Sequence, residues 1–538
     1  VALDLYSPVS VSLFDSDCGT TDLAPFSEGQ EKTCSQQFFG GSHDTRFEQC
    51  LQAMDCKMNR EMRVAGHDAH QDHIVTFMQQ MIPHHTNAIN MAKLLLKSAP
   101  AEVLKIEGLE DILWNIVNVQ GYQVHQFRNY LGSHAGYLAT EFAGATLTAE
   151  SVGDHCTETL DQDHSIRIPG SSSVAAETGS VSGCVASSNT LCVQVNEFAS
   201  ETGYYEFTGY TGPSPDIIVQ IGQTYIFDQR DPTNWYHPLG FAYYPDGAHG
   251  ETWGGEEREE VEGKGELLYK IDGAATTCPE AGDTGLDCYE PEFFFPRSEW
   301  MGKEYSVELT ITQEMADRSH GGVIFYFCHI HSKMSGRIII QNADGSPVTQ
   351  ADGSPLSSPH ALKLYAPDVV DEADQTCGTY DVSGYMGSGA SVCSERFLCG
   401  KIDTMYERCL QAIDCKMNVD MRSMTTPDSS DLIASFMEQM IPHHANAVNM
   451  AKLVLKQVPT GTIAAAMDGE GLTHILYGII NSQNYQIHQF RNYLGAANKS
   501  MSMTMVDIAV PSNFALFGLS VAVPFAVAHG VGLPGYLE

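Results

Sequence analysis

Basic residues are scarce. Lys and Arg number 29 against 67 Asp and Glu in 538 residues, a formal net charge of −38. A surface this acidic repels nucleic acid and anionic lipid, and it gathers cations. Solubility or a high-salt setting would select the same surface, so charge alone shows no metal binding. No catalytic triad and no phosphate-binding glycine loop can be assigned, which leaves no motif for hydrolytic or nucleotide chemistry. The apolar C-terminal stretch, "IAVPSNFALFGLSVAVPFAVAHGVGLPGYLE", is short for a membrane helix and is interrupted by Pro511, Pro524 and Pro534. A removable lipid-anchor signal is a second reading. A segment that packs on the chain's own helices or on a neighbouring copy is the favoured one, because an exposed apolar segment of this size needs a partner. An initiator Met is missing too, so Val1 is expected to follow a removed signal peptide.

What the chain does have is cysteine, and a repeat. The 15 cysteines, many in spaced pairs, point to an oxidising compartment, so the protein is expected to be secreted or at the cell surface. Asn498-Lys499-Ser500 is one glycosylation sequon. "FMQQMIPHHTNAINMAKLLLK" at Phe77 returns as "FMEQMIPHHANAVNMAKLVLK" at Phe436, with 17 of 21 positions identical at an offset of 359. Cys18, Cys34, Cys50 and Cys56 map onto Cys377, Cys393, Cys409 and Cys415 at that offset. After a four-residue insertion, "YQVHQFRNYLG" at Tyr122 matches "YQIHQFRNYLG" at Tyr485. A repeat of this length is a whole domain rather than a solenoid unit.

The expected layout is a helical unit over 1–145, a linker over 146–190 and a β domain over 191–345. A linker and the start of the second copy follow over 346–372, then the second helical unit over 373–500 and the apolar tail over 501–538. Apolar residues at three-and-four spacing predict helices over Phe47–Met62, Asp72–Ser98, Ala101–Val119 and Gly121–Leu131. Four such helices suggest an antiparallel bundle, with a kink at Pro83. Cys50 and Cys56 lie six apart on one expected helix, about 10 Å between Cα atoms, too far for a disulfide. Each is therefore expected to join Cys18 or Cys34, and the second copy to do likewise.

Strand signals fill the middle: "DIIVQIGQTYIFDQ", "EYSVELTIT", "GGVIFYFCHI" and "GRIIIQ". They suggest an all-β sandwich. Cys328, His331 and Met334 form Cys-x2-His-x2-Met between two of these strands, and "NWYHPLGF" upstream offers His237. One thiolate, two imidazoles and a weak thioether make the trigonal-plus-axial set of blue copper sites. Alternatively Cys328 is a buried core thiol or half of a disulfide. Pairing Cys184 with Cys192 and Cys278 with Cys288 leaves Cys156, Cys328 and Cys399; the odd total demands one free thiol, and the motif nominates Cys328. Cys156 and Cys399 could then bridge. The region resembles a cupredoxin, with a ligand loop similar in length to that of amicyanin. It departs from that pattern by an apparent insertion, about Pro245 to Trp300. His249, His320 and His329 are spare imidazoles, expected in loops or at the surface.

In the helical copies, Met81, His84, Ala88 and Met91 share a helix face, with His85 one position round, and the following helix brings His125. Neutral imidazole and thioether suit copper(I); equally, core-facing Met is packing and a His pair is hydrogen-bonded core. "MIPHHTNAINMA" resembles the signature of the ferritin-like family catalogued as domain of unknown function three hundred and five, some of whose members bind copper through His and Met. The resemblance implies that Met81, His84, His85 and Met91, with Met440, His443, His444 and Met450, line a copper site; His125 and His488 are added as candidates from the following helix. "HDAHQDH" gives the first copy three further imidazoles, His67, His70 and His73. Di-iron chemistry is not implied, because Glu-x-x-His sets are absent.

The expected protein is thus multidomain. Two all-α four-helix bundles of ferritin-like type flank an all-β cupredoxin sandwich. It would be a secreted copper-binding electron-transfer and storage protein with an unidentified redox partner, no nucleic acid, and a capacity to assemble through its tail. A disulfide-stapled structural subunit and a copper-dependent oxidoreductase are the alternatives.

Overall fold

The computed structural model describes residues 11–38, 44–65, 73–133, 183–249, 260–261, 266–278, 284–319, 321–348, 370–386, 395–399, 402, 404–423, 431–467 and 471–496. Helical regions at both ends flank a central β-sheet region. The tail, most of the first linker, His67, His70, His320, Cys156 and Cys393 lie outside the described residues.

The first unit contains α1 (Arg46–Glu61), α2 (His73–Ser98), α3 (Leu109–Asn115) and α4 (Gly121–Ser133). Thr45 starts α1 with a reciprocal capping box to Glu48, which satisfies two backbone donors. The second unit contains α5 (Met405–Ser423), α6 (Leu432–Gln457) and α7 (Gly471–Ala496). Both α2 and α6 run through their internal prolines, Pro83 and Pro442.

The expected third and fourth helices do not separate where the periodicity put the break. In the first unit, a π-helical turn over Ile116–Gln120 joins α3 to α4 without a loop. In the second, α7 is one 26-residue helix across the same positions. The break falls earlier, at Gly108 (φ 74°) and Gly471 (φ 74°), where a left-handed residue is cheap only for glycine. Each unit is therefore built on three long helical segments rather than four helices.

The units are not two independent bundles either. Ile74 to Ile82 of α2 pack with Ala447 to Val454 of α6 and with α5 in one core. Ala88 to Leu95 of α2 pack with Ile433 to Ile441 of α6 and with α1 in another. Each long helix thus gives one half to its own unit and the other half to its twin. A short parallel pairing of β1 (Val64–Ala65) with β12 (Leu398–Cys399) adds a further link. Asn59 also meets its repeat counterpart Asn418, Nδ2 to Oδ1, at 3.1 Å.

The arm disulfides follow the helix geometry. Cys18 joins Cys50 and Cys34 joins Cys56, and in the second unit Cys377 joins Cys409. Cys415 is also disulfide-bonded. With Cys184–Cys192 and Cys278–Cys288, five disulfides connect described residues, which fits an oxidising environment. No described helix is long and apolar enough to cross a membrane.

The central region has two sheets. One orders β4 (Ile217–Gln220), β11 (Ser335–Gln341), β10 (Val323–Cys328) and β6 (Leu239–Ala242). The other orders β3 (Tyr204–Phe207), β2 (Thr190–Asn196), β5 (Thr224–Asp228), β9 (Tyr305–Thr310), β7 (Leu267–Ile271) and β8 (Ala274–Ala275). Val193, Phe227 and Leu309 from the six-stranded sheet share one core with Ile217, Ile324 and Ile338 from the four-stranded sheet. The stretch expected as an insertion is partly structural: β7 pairs with β9 from Leu267↔Leu309 to Ile271↔Tyr305. Its alternation, Leu267 and Tyr269 inward, is a half-buried strand pattern.

Candidate metal centre and histidine–methionine core

β10 ends at Cys328, β6 begins two residues after His237, and the two strands pair antiparallel with Cys328 opposite Leu239. This register brings the upstream histidine to the cysteine. The Sγ of Cys328 lies 3.7 Å from His237 Nδ1 and 3.8 Å from His331 Nδ1. Among the described His, Cys, Asp and Glu residues, only this trio has three ligand atoms within 4.8 Å of one another. Exposure is 1% at His237 and 0% at Cys328, His331 and Met334, so the place is sealed from solvent. Cys328 is the one free cysteine among the described residues. Met334 closes the loop by accepting the Cys328 amide on its carbonyl at 3.1 Å.

The backbone around the trio is fixed. Tyr236, just before His237, has φ 70°, and Lys333, just before Met334, has φ 63°. Left-handed backbone costs a bulky L-residue about 1–2 kcal/mol, and such strain persists only where the surroundings enforce it. The Tyr236 ring is held against Trp235 at 4.7 Å and Phe294 at 5.2 Å. Lys333 N donates to Asp246 Oδ2 at 2.7 Å. The carbonyl of His237 accepts from Gln229 Nε2 at 2.8 Å and Tyr205 Oη at 3.0 Å.

Hydrogen bonds also set the tautomers. His331 Nε2 donates to the main-chain oxygen of Asn481 on α7 at 3.0 Å, which turns the Nδ1 lone pair toward Cys328. Asn481 Nδ2 donates to Trp235 O at 3.0 Å, so one residue of the second helical unit braces both histidine loops. Burial holds His237 well below the ordinary histidine range; His331 adds to this and the nearby Asn481 side chain partly offsets it. Burial likewise lowers His331 to about 4. The Cys328 thiol is pushed up to about 12 by burial, against amide hydrogen bonds that pull it down. Both imidazoles are therefore neutral donors at pH 7, and the thiol must lose a proton to bind a cation.

Of the spare histidines, His249 and His329 lie in loops but are not surface residues. His249 Nε2 donates to the carbonyl of Cys328 at 2.9 Å. His329 is buried beside Gly240, where a Cβ would meet its Nε2 at 2.2 Å, and its Nδ1 is 3.8 Å from Glu290 Oε2. His249, in the segment after β6, and Glu290 thus cover positions that the spacing left open.

In the helical core, His84 and His443 stack with ring centroids 3.6 Å apart. His84 Nε2 donates to His443 O at 3.0 Å, and His443 Nε2 donates to His84 O at 3.1 Å. These reciprocal bonds mark a pseudo-twofold axis between the repeats. Four neutral rings are buried here, because desolvation pulls His84 and His443 well down and His85 and His444 to about 3. Among the described residues the Nδ1 atoms of His84, His443 and His444 have no hydrogen-bond partner, and Gln123 stands by His85 as Gln486 stands by His444.

The structure regroups the expected methionine set. Met81 and Met91 are ten residues apart, about 15 Å along a helix, and they sit in different cores. Met81 shares its core with Met450, and His85 faces Phe127 of that core at 6.4 Å. Met440 shares the other core with Met91, and His444 faces its Phe490 at 6.3 Å. All four methionines are fully buried.

His125 and His488 do not join these sets. His125 is exposed and bonds Asn129 at 3.0 Å. His488 packs against His249 of the β region, ring centroids 4.8 Å apart. The inward position belongs to Gln486, whose Oε1 accepts from His444 Nε2 at 2.7 Å. Gln486 precedes Phe490 by four residues, as Gln123 precedes Phe127, so helical period alone would have placed the glutamine on the core face. His73 stacks on Tyr406 at 4.1 Å. No sequence signal marked Asn481, Gln229 or Asp246, whose roles depend on distant contacts.

A family described as a domain of unknown function (DUF305) matches residues 32–164 and 433–513, two stretches on either side of the β-sheet region and together less than half of the chain. Both include part or all of the repeated His–Met helix. No curated protein and no solved structure matches the chain.

Proposed function

We propose that the chain is an extracellular copper protein. In this reading a cupredoxin-type sandwich carries one redox-active copper at Cys328, His237, His331 and Met334, and the helical units bind or store copper through imidazole and thioether. Copper would supply one-electron redox chemistry between its +1 and +2 states; the chain supplies the rest. Cys328 gives a thiolate, His237 and His331 present Nδ1 lone pairs, and the surrounding clamps keep the three from moving when charge changes.

The observation that carries the reading is the pair of sulfur-to-nitrogen distances, 3.7 and 3.8 Å. Bonds of about 2.3 Å to sulfur and about 2.0 Å to nitrogen put those atoms about 3.7 Å apart at a trigonal angle, and about 3.5 Å apart at a tetrahedral one. A trigonal set with a soft thioether nearby favours copper over structural zinc. Complete burial of the donors leaves no open position for a substrate, which favours electron transfer over turnover. In the helical core, support comes from buried nitrogens without partners beside buried methionines.

Metal analysis of native protein with its absorbance spectrum tests this. At least one copper per chain should be found, accompanied by an intense visible band, and Cys328→Ser should abolish the band. Native protein that takes up no copper, or whose band survives Cys328→Ser, rejects the reading.

A further inference from the structure

The helical units are copies, yet among the described residues it is the second that carries the β domain. Its docking face is built by α6 and α7. Lys452, 1% exposed, donates to the carbonyls of Glu197, Ser200 and Glu201 at 2.6, 2.9 and 2.9 Å. Asn481 receives the imidazole edge of His331, and Arg491 clamps Glu201 with two bonds of 2.8 Å. Tyr477 lies under Arg297 at 4.3 Å, and Tyr485 meets Phe294 at 6.0 Å.

The first unit repeats these positions. Lys93 stands where Lys452 does, at the offset of 359, and Trp114, Asn118, Tyr122 and Arg128 stand where Tyr477, Asn481, Tyr485 and Arg491 do, at an offset of 363. Here the face is open. Lys93, Asn118 and His125 are exposed, and Trp114 and Tyr122 are 48% and 49% exposed. Together with Val119, at 37%, they are three of the few exposed large apolar side chains. An exposed aromatic pair ringed by polar groups is the composition of a contact surface.

We propose that this face of the first helical unit docks a β domain of another protein, one that presents an uncovered ligand-type imidazole edge and acidic or carbonyl acceptors for the basic groups. The twin face supplies the argument, because it already holds such a domain through the equivalent positions. A second copy of this chain fits poorly, since its own imidazole edge lies under α7. Two differences make the open face more apolar and its grip looser. Gly121 replaces Asn484, which bonds Glu201 O at 3.1 Å, and Val119 replaces Ser482. The π-turn over Ile116–Gln120 also widens the helix where Asn118 sits. The docking claim stands on this geometry alone; that electrons pass there would rest on the copper reading.

The probe is this chain's own β domain, residues 183–348. Its fully buried core residues are all its own, with Tyr477 and Tyr485 of α7 packed against them from outside, and it contains the Cys184–Cys192 and Cys278–Cys288 disulfides, the marks of a domain that folds as a unit. Titrated into the intact chain by sedimentation velocity or NMR, one domain should bind per chain. Trp114→Glu with Tyr122→Glu should weaken binding at least tenfold, and Leu13→Glu, on the exposed arm, should not. No binding overturns the proposal. So does binding indifferent to Trp114→Glu, which means exchange at α7. Self-association abolished by Trp114→Glu, or a face uncovered only by removing residues 501–538, would name a different occupant and also overturn it. Should the domain not fold alone, the intact chain bearing Lys452→Glu and Arg491→Glu provides a released β domain, and the same dependence on Trp114 is required.

Discussion

Replacing Lys452 with Ala tests how the second helical unit holds the β region. The ammonium is buried and serves three main-chain carbonyls at 2.6 to 2.9 Å. Burial lowers its pKa to about 8, with Glu197 and Glu201 acting in the other direction. Removing it strips the carbonyls of Glu197 and Ser200 of this donor in a dry interface, beside the carboxyl of Glu197, itself raised to about 7 by burial, while Glu201 O keeps its bond from Asn484. Each unsatisfied buried group costs about 1–3 kcal/mol, and breaking a buried charge cluster costs about 3–5 kcal/mol in all. Lys452→Ala should therefore destabilise the chain by about 3–5 kcal/mol. The repeat provides an internal control: Lys93 is exposed, and Lys93→Ala should change stability by less than about 0.5 kcal/mol. Urea unfolding of both variants, with hydrogen exchange at 197–201, reads the difference. Equal effects, or a loss below about 1 kcal/mol for Lys452→Ala, would refute the reasoning.

Copper uptake near pH 7 should release one proton per ion at the trio, because the thiol is held up to about 12 while His331 is at about 4 and His237 is well below its usual value. Affinity should then rise about tenfold per pH unit between about 6 and 9, and a pH-independent affinity would contradict this. Stability should fall on acidification. The buried His84, His85, His443 and His444 stay neutral when folded, so their contribution is present above about 6.5 and is lost as pH falls toward their folded values. Asp55 and Asp414, raised to about 7 by burial, act oppositely, favouring the fold below about 4 and losing that contribution as pH rises through 7. The histidines outnumber them, so the urea midpoint at pH 5 should lie below that at pH 7; a higher midpoint would reverse the assignment. His84→Ala should loosen both repeats together, costing about 2–4 kcal/mol through the lost reciprocal bonds and the cavity, and calorimetry should show a single shifted helical transition rather than two.

Much of the centre was legible because it is local. Cys328, His331 and Met334 occupy one loop, and the continuous apolar run from Val323 to Cys328 marks β10 as a strand buried on both faces. That Cys50 and Cys56 each reach an arm cysteine was legible because helix rise forbids Cys50–Cys56, but which of them takes Cys18 and which Cys34 was not. The sharing of cores between repeats was not legible. A helix with an apolar stripe can face its own unit or its twin, and the sequence stripe is the same for both. The misplacement of His125 and His488 has a similar cause: metal chemistry drew attention to histidine, while the period from Phe127 and Phe490 pointed to Gln123 and Gln486. The β7 strand was missed because its neighbours are rich in Gly and Glu, although Leu267 and Tyr269 alternate correctly. Asn481 could not be found at all, since its partner His331 is 150 residues away.

Anomalous scattering at the copper edge from crystals of the native protein tests the central claim most directly. The account predicts one peak within about 2–2.3 Å of Cys328 Sγ, His237 Nδ1 and His331 Nδ1. Density joining Cys328 to a second sulfur, or a trio without copper in copper-supplied protein, would contradict it.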